Sequence, residues 1–477
     1  MPRRHLSLRV GDNEAARELR AGFERIRAEL ELPARFPDHV NAEAEQVAVS
    51  PDLPTYDVTE LPFLTIDPPG STDLDQAMYM ERRGKGGYRV RYAIADVAAF
   101  VRPGAAIDAE AHLRCETFYS PDLRTPLHPP VLSEGAASLL PGQVRPAVLW
   151  ILDLDREGEQ TGVEVRRAMV RSQRRLDYAG VQELHDSGRA DEQLDLLAEV
   201  GTLRKAIEEQ RGGVSLPIPE QEIEEVDGSF RLAYRLSRPV ESWNEQISLL
   251  TGMAAADLML HGEVGVLRTL PHAPDNAIQV LQRSARVLGI DWTSDTSYAE
   301  VISRLDAADP HHAAFLEEAT SLLRGAGYTA FDGAVPEQAT HAAVAGAYAH
   351  ATAPLRRLVD RYVSEVCLSL CAGTDVPSWV RAALPALPAE MADSDRLAGA
   401  LERECVALME AVVLRDAVGQ VFDAVVVDVR DGGGGTVQLA EPAVRAAFDG
   451  ELPLGEPVRV RLTEADVAQR SVRFQAA

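Results

Sequence analysis

The chain reads as an α+β protein with a short helical N-terminal segment, a large mixed α/β body and a small all-β tail. Three observations predict this. Apolar residues between positions 16 and 30 recur at helical spacing. From about 56 to 415, short apolar or alternating runs are interspersed with long helical stretches. Beyond 416, strand-length runs separated by turn residues take over. The expected units are 1–55, 56–415 and 416–477.

Length and composition bound the rest. At 477 residues there is room for two to four domains with sizeable cores. Met1-Pro2-Arg3-Arg4-His5 leads into polar sequence without a signal core, and no run of about 18 apolar residues occurs, so no leader and no membrane span are expected. Four cysteines, at 115, 367, 371 and 405, are too few for a disulfide scaffold. Cys367 and Cys371 stand four apart with no second Cys or His pair, so buried thiols in a reducing cytoplasm are expected rather than zinc. The net charge of −26, from 48 basic and 74 acidic residues, argues against nonspecific nucleic-acid binding by the surface as a whole. A locally basic channel remains compatible with it. Lys stands only at 85 and 205; codon bias is the plain reading of that imbalance, so the abundance of Arg by itself carries no RNA signal.

In chain order, Asp12 or Asn13 can cap a first helix whose stripe is Ala16, Leu19, Phe23, Ile26 and Leu30. Pro33 and Pro37 punctuate, and a second helix is expected around 41–49. The two form a helix-turn-helix-like pair or a docking arm. Leu61 to Ile66 reads as a short buried strand, and Tyr88 to Asp96 as an alternating one after a hairpin turn at Gly84–Gly87. Residues 113–146 are rich in Pro and turn residues, the kind of long irregular segment that carries function. A strand resumes at Ala147–Leu154. Arginines at 166, 167, 171, 174 and 175 make either a solvated face or phosphate contacts. Helices are expected over 181–211 and 245–318, with a strand-rich break at 214–235. A Pro- and Ala-rich connection at 376–395 precedes a long helix from about Asp393 to Gly419. Strands at 421–429, 436–439, 458–462 and 472–474, with Asp431–Gly435 as a hairpin loop, fit a small barrel of the OB type.

Two stretches carry chemistry. Thr65 to Ala77 reads Thr-Ile-Asp-Pro-Pro-Gly-Ser-Thr-Asp-Leu-Asp-Gln-Ala. Asp67 ends the first strand, and Asp73 and Asp75, two apart in an extended segment, share a face. A turn that folds Asp67 back beside them brings three carboxylates together. They repel unless one is protonated or a hard divalent cation binds, and Mg²⁺ favours such oxygen ligands. A solvated acidic turn is the plain alternative. The second stretch is Ala351 to Tyr362, Ala-Thr-Ala-Pro-Leu-Arg-Arg-Leu-Val-Asp-Arg-Tyr. Thr352 can cap a helix, Pro354 suits its first turn, and Leu355, Leu358, Tyr362 and Val366 form the buried stripe. That places Arg356 at a helix N-terminus, suited to hold a phosphate, unless it merely pairs with Asp360.

Four motifs, Thr65–Ala77, Tyr92–Val97, Tyr119–Ser133 and Thr352–Arg357, together resemble the RNB family of RNase II-type 3′→5′ exoribonucleases. The resemblance runs from about Phe63 through the tail. It implies an RNB catalytic domain with a deep channel for single-stranded RNA, a two-metal Mg²⁺ centre with Mn²⁺ as the alternate ion, and a C-terminal OB-fold that helps bind RNA. It places the metal ligands on Asp67, Asp73 and Asp75, with Asp75 closest to the chemistry. The family's fourth aspartate falls on Gln76, which offers an oxygen but no charge and implies a weaker hold on one ion. Arg356 matches the arginine that grips the scissile phosphate. Tyr119 and Tyr178 match aromatics that stack bases, while the opposing clamp aromatic falls on Leu216. Glu245 and Glu402 match acidic residues near the sugar end, where the 2′-hydroxyl separates RNA from DNA. The cold-shock barrels usual before the domain are replaced here by helical residues, which implies a shorter RNA footprint. A soluble cytoplasmic monomer, with single-stranded RNA as partner and no organic cofactor, is expected. An aspartyl-phosphate phosphohydrolase is disfavoured, because Pro69 breaks its D-x-D motif. An RNA-binding protein inactivated at Gln76 is the remaining rival.

Overall fold

The computed structural model describes residues 14–84, 86–218, 220–226, 229–293, 295–430 and 432–477. The expected caps Asp12 and Asn13, Lys85 of the first hairpin and Asp431 of the tail loop lie outside the described residues. The N-terminal helices are α1 (Glu14–Glu29) and α2 (Asp38–Ala48). They join different cores. Leu19, Phe23 and Ile26 of α1 bury against the far C-terminal region, whereas Val40 and Ala44 of α2 bury beside the central barrel.

That central barrel is built from β1 (Phe63–Ile66), β2 (Gln76–Arg83) and β3 (Gly87–Ala95) together with two later strands. Between them come α3 (Ala106–Arg114) and a small ribbon, β4 (Phe118–Tyr119) with β5 (Arg124–Thr125). The later strands are β6 (Val144–Leu154) and β7 (Gln160–Leu176), and the ring closes in the order β1-β2-β3-β6-β7. Two-residue alternation sorts the side chains onto two faces. Ala77, Ala93, Ala147 and Ala168 share one core, and Met78, Tyr92, Trp150 and Val165 share the other.

Closure depends on a parallel pairing of β1 with β7, with Ile66 opposite Leu176. Because β1 and β7 run the same way and β2 runs against them, the end of β1, the start of β2 and the end of β7 meet at one rim. Asp67, Gln76 and Tyr178 are therefore carried to the same place, and Asp67 N–H donates to the Leu176 carbonyl at 3.1 Å.

Helices wrap the barrel. α4 (Tyr178–Asp186) and α5 (Glu192–Arg211) start from aspartate N-caps, Asp177 and Asp191, whose side chains accept backbone N–H groups of the first turn. A ribbon of β8 (Glu220–Val226) and β9 (Ser229–Arg235) follows, then α6 (Pro239–His261). Val264–Thr269, inside the expanse expected to be helical, is instead strand β10. Val264 and Val266 are β-favouring, and the strand pairs with a later one at Gly327–Asp332. Helices α7 (Asp275–Val287), α8 (Tyr298–Ser303) and α9 (Pro310–Ala319) form a satellite core, and β11 (Gly327–Asp332) and the short pair β12 (Thr340–His341) and β13 (Gly346–Ala347) follow.

The second informative stretch is a turn rather than a helix start. α10 spans Leu358–Ala372, its N-cap is Arg357, and Thr352 does not cap it. The expected stripe is buried, but so are the helix's other sides, because α10 lies between the barrel and its wrapping helices. The expected connection at 376–395 is also helical, with α11 (Ser378–Ala383) and the start of α12 (Leu387–Leu414). Pro377 and Pro388 stand at helix starts, where a missing N–H costs nothing, and the alanines between them favour helix.

The tail is β14 (Val421–Val429), β15 (Gly435–Leu439), β16 (Val444–Asp449), β17 (Pro457–Asp466) and β18 (Ser471–Ala476), closed in the order β14-β15-β16-β18-β17. Four of the five were expected, and β16, with its mid-strand Ala-Ala, was not. The small barrel, α12 and α1 share one apolar core.

Candidate active site

Asp75 is the most buried of the predicted carboxylates, only 4% exposed. One of its oxygens accepts the Leu355 N–H at 2.8 Å, and the other accepts Arg356 Nε at 3.3 Å. Burial pushes its pKa up to about 8 against the pull of Arg356 and the Leu355 N–H, with the nearby charges of Asp73 and Asp360 adding to the rise. Asp67, half-buried at the end of β1, is raised to about 6, also chiefly by desolvation, with Arg356 and Arg175 opposing and Asp73 reinforcing. Asp73 is held by Arg124, which also donates to Glu134 at 3.1 Å and Thr72 Oγ1 at 3.0 Å.

The loop between Asp67 and Gln76 is fixed from one side. Ser138 Oγ donates to the Thr72 carbonyl at 2.7 Å and accepts the Leu74 N–H at 2.9 Å. The carboxylates are near enough to perturb one another, yet among the described residues no three Asp, Glu, His or Cys side chains converge as a ready ligand set. Two arginines, Arg124 and Arg356, supply the counter-charge. Gln76 is tied at both ends of its amide: Nε2 donates to the Thr352 carbonyl at 2.7 Å, and Oε1 accepts the Tyr92 hydroxyl, which also meets Ser248 Oγ at 2.9 Å.

Arg356 sits in the turn after Pro354, with its side chain 38% accessible although protein surrounds it. Its neighbour Arg357, not Arg356, pairs with Asp360, at 2.9 and 2.8 Å. Asp360 is fully buried and also accepts the Ala353 N–H at 2.7 Å, so one carboxylate shapes the whole turn. The Arg356 carbonyl accepts the Thr117 N–H at 2.9 Å, which pins the turn to the chain leading into Tyr119.

The charge of Arg356 reaches Asp67, Asp75, Tyr119 and Tyr178, so the structure gathers these around one cation. Tyr178, half-buried at the start of α4, accepts a hydrogen bond from Asn244 Nδ2 at 3.2 Å, and burial raises its hydroxyl to about 12. Burial raises Tyr119 likewise, with Asp73 and Asp75 contributing. Glu245, on α6, stands apart, beside Glu208, Lys205 and Tyr348. Water reaches it, yet protein surrounds it closely enough that desolvation, with Glu208, lifts it to about 7. Glu402 lies half-buried on α12, the helix that packs on β4. Leu216 packs on the satellite core of α7–α9.

Of the five arginines on or beside β7, Arg167 pairs with Asp96 and Glu365, Arg174 with Asp191, and Arg166 with Glu164. Arg175 acts electrostatically on Asp67 and Arg171 on Asp57. Protein carboxylates thus occupy much of that row. Sequence reading does not single out Arg124 or Asn244; it offers Asp360 only as a partner for Arg356, and Tyr92 only as the start of a motif. Arg124 lies inside the Tyr119–Ser133 motif, which was the available signal.

A closed barrel with acidic residues on one rim, faced by an arginine turn and followed by a second small barrel, defines a two-barrel architecture built around a charged, recessed site. Comparison with known proteins places it further: residues 55–371 match the RNB domain, and residues 420–477 match the RNase II-type exonuclease C-terminal S1 domain. The chain belongs to the RNB family. Ribonuclease R of Escherichia coli is 29% identical over 356 residues, which cover 69% of this chain and 42% of that protein. The chain thus spans less than half the length of that relative. RNase R of Mycoplasma genitalium, solved with ribose-methylated single-stranded RNA, superposes with a TM-score of 0.86 at 19% identity, over 98% of this chain and 79% of that one. Yeast Ssd1, a pseudonuclease, superposes at 0.67 and 16% identity, over 87% of this chain and 54% of that one.

Proposed function

We propose that the protein is a metal-dependent 3′→5′ exoribonuclease that hydrolyses single-stranded RNA to nucleoside 5′-monophosphates. The observation that carries this reading is the contact between Asp75 and the Arg356 turn, made across 281 positions of a chain that belongs to the RNB family. Leu355 N–H and Arg356 Nε fix the orientation of the Asp75 carboxylate. Arg356, partly accessible at depth, is placed to hold the scissile phosphate and to stabilise the charge that grows on it. Water adds to that phosphorus, the bond to the preceding nucleotide's 3′-oxygen breaks, and the terminal nucleotide leaves with its 5′-phosphate. Tyr119 and Tyr178 offer rings beside the same cation for stacking the last bases, a sequence-tolerant grip. Glu245 and Glu402 are the groups we assign to the 2′-hydroxyl.

Asp73 adds to the raised pKa of both Asp67 and Asp75, and oxygen donors set this close fit a hard cation in kind. Asp67, Asp73 and Asp75, with the Gln76 carbonyl, would hold Mg²⁺ or Mn²⁺, whose chemistry as a two-ion centre is to activate water and neutralise the leaving 3′-oxygen. A cytoplasmic monomer without an organic cofactor completes the proposal. The four free cysteines support a reducing compartment, and among the described residues no helix is long and apolar enough to cross a membrane.

A second reading, RNA binding without turnover, is favoured by one observation: Gln76 stands where the family has an aspartate, with its amide spent on Thr352 and Tyr92. A 5′-labelled single-stranded RNA separates the two. Incubated with Mg²⁺ or Mn²⁺, with chelator, and beside a DNA control, it collapses to a short 5′ fragment only with metal and only as RNA if the first reading holds. Intact RNA that is nonetheless tightly bound establishes the second.

A further inference from the structure

α1 takes no part in hydrolysis as read above, yet it reaches the site. The β4–β5 ribbon has only two residue pairs, Phe118 with Thr125 and Tyr119 with Arg124. A ribbon that short does not hold itself together in water. Its base is gripped by the site, since Arg124 holds Asp73 and Tyr119 lies within the field of Arg356. Its tip is gripped by α1. Arg27 Nη1 donates to Asp122 Oδ1 at 2.6 Å and to Ser120 Oγ at 2.7 Å, and Nη2 donates to Asp122 Oδ2 at 3.1 Å. This bidentate pair is shielded, at 15% and 12% exposure, and Ser120 Oγ also donates to the Leu123 carbonyl at 2.8 Å.

α1 itself is set by other contacts. Leu19, Phe23 and Ile26 share a core with Leu401, Cys405, Leu408 and Met409 of α12. Gly22 lies so close to α12 that a Cβ there would sit 2.5 Å from Leu408 Cδ2, so the two helices meet at a fixed separation. Glu18 and Glu29 add ion pairs to Arg415 and Arg470. The helix therefore keeps its place without Arg27, and the guanidinium has the tip of the ribbon as its partner.

We propose that α1 is a strut for the active site and that Arg27 is a positioning residue. Its pair with Asp122 sets the β4–β5 ribbon, and the ribbon sets where Tyr119 stands and how Arg124 directs Asp73. The proposal rests on reading this site as the exonuclease centre. The test uses the full chain with Arg27→Ala, Asp122→Ala, the double variant, and the exchanged pair Arg27→Asp with Asp122→Arg. Three quantities are read: kcat and KM on single-stranded RNA with Mn²⁺, melting temperature, and amide hydrogen exchange of the segment 118–125.

Each single variant is expected to lower kcat about tenfold, the scale of a small misplacement of reacting groups. Exchange in 118–125 should quicken while α12 keeps its protection and the melting temperature holds. The double variant should be no worse than either single, and the exchanged pair should recover part of the loss. Wild-type kcat, or unchanged exchange in 118–125, overturns the strut, as do losses that simply add and follow the melting temperature. If the wild-type protein does not trim RNA, the exonuclease reading fails instead, and the exchange measurement alone then decides whether Arg27 holds the ribbon.

Discussion

Replacing Asp75 by Asn should stabilise the protein while abolishing its chemistry. The folded state holds the Asp75 carboxyl near 8, far above its usual range, because the side chain is buried. A folded pKa above the unfolded one means that the folded form binds the proton more tightly. Stability is therefore lost as pH rises from about 4 towards 8, the interval in which only the unfolded chain has released the proton. At pH 7, about three units above the ordinary pKa, the folded carboxyl still holds the proton that the unfolded chain has released, and at about 1.4 kcal/mol per unit the cost is on the order of 4 kcal/mol. Asn removes that cost but offers only one acceptor for two donors. Its Oδ1 can keep the Leu355 N–H, while its Nδ2 must face Arg356 Nε, a mismatch worth roughly 1–3 kcal/mol. The net expectation is a gain of about 1–3 kcal/mol, seen as a higher melting temperature at pH 8 and no gain at pH 5. The assay is thermal melting with chelator at both pH values, beside RNA trimming with Mn²⁺. An Asp75→Asn protein that melts no higher at pH 8, or that trims RNA at the wild-type rate, refutes the reasoning.

Other expectations follow from the same contacts. Arg356→Ala should lower turnover about 10²–10³-fold, the scale for removing one group that stabilises transition-state charge, and single-turnover assays at saturating RNA isolate that loss from binding. Tyr119→Ala should weaken the grip on the RNA end by about 1–3 kcal/mol and lengthen the final fragment, read by affinity and on sequencing gels. Gln76→Asp is expected to lower both melting temperature and turnover, because a carboxylate cannot donate to the Thr352 carbonyl; a gain in turnover would show that charge at this position matters more than the bridge. Arg124→Ala should raise the Mn²⁺ concentration needed for half-maximal trimming if the arginine orients Asp73, and a metal titration reads this directly.

Much of the molecule was legible because local chemistry and final structure agree. The tail barrel announced itself through Val-rich runs cut by glycine turns, and α1 through its Leu19, Phe23 and Ile26 stripe. The carboxylate stretch and the arginine stretch were both visible as chemistry, and the structure brings Asp75 and Arg356 into contact. What local reading could not supply was the β1–β7 pairing, since a parallel closure between distant strands leaves no mark on either one. The start of α10 was misread because Thr352 and Pro354 imitate a helix cap. The competing instruction came from Asp360, whose carboxylate takes the Ala353 N–H and Arg357 and bends the chain into a turn. Arg124 went unremarked because its partner lies 51 positions away, and a sequence rich in arginine gives no reason to favour one.

Because the two charged halves of the site stand so far apart in the chain, the order of synthesis matters. A growing polypeptide exposes Asp67, Asp73 and Asp75 early, and its barrel cannot close until β7 has been made. The arginine that completes the site comes 178 residues after Tyr178, when most of the chain has already been made. Until then an emerging chain has the acidic side chains and Arg124, but not the arginine proposed to hold a phosphate beside them. A product of interrupted translation, or of a frameshift before Arg356, thus lacks the arginine on which the proposed activity depends.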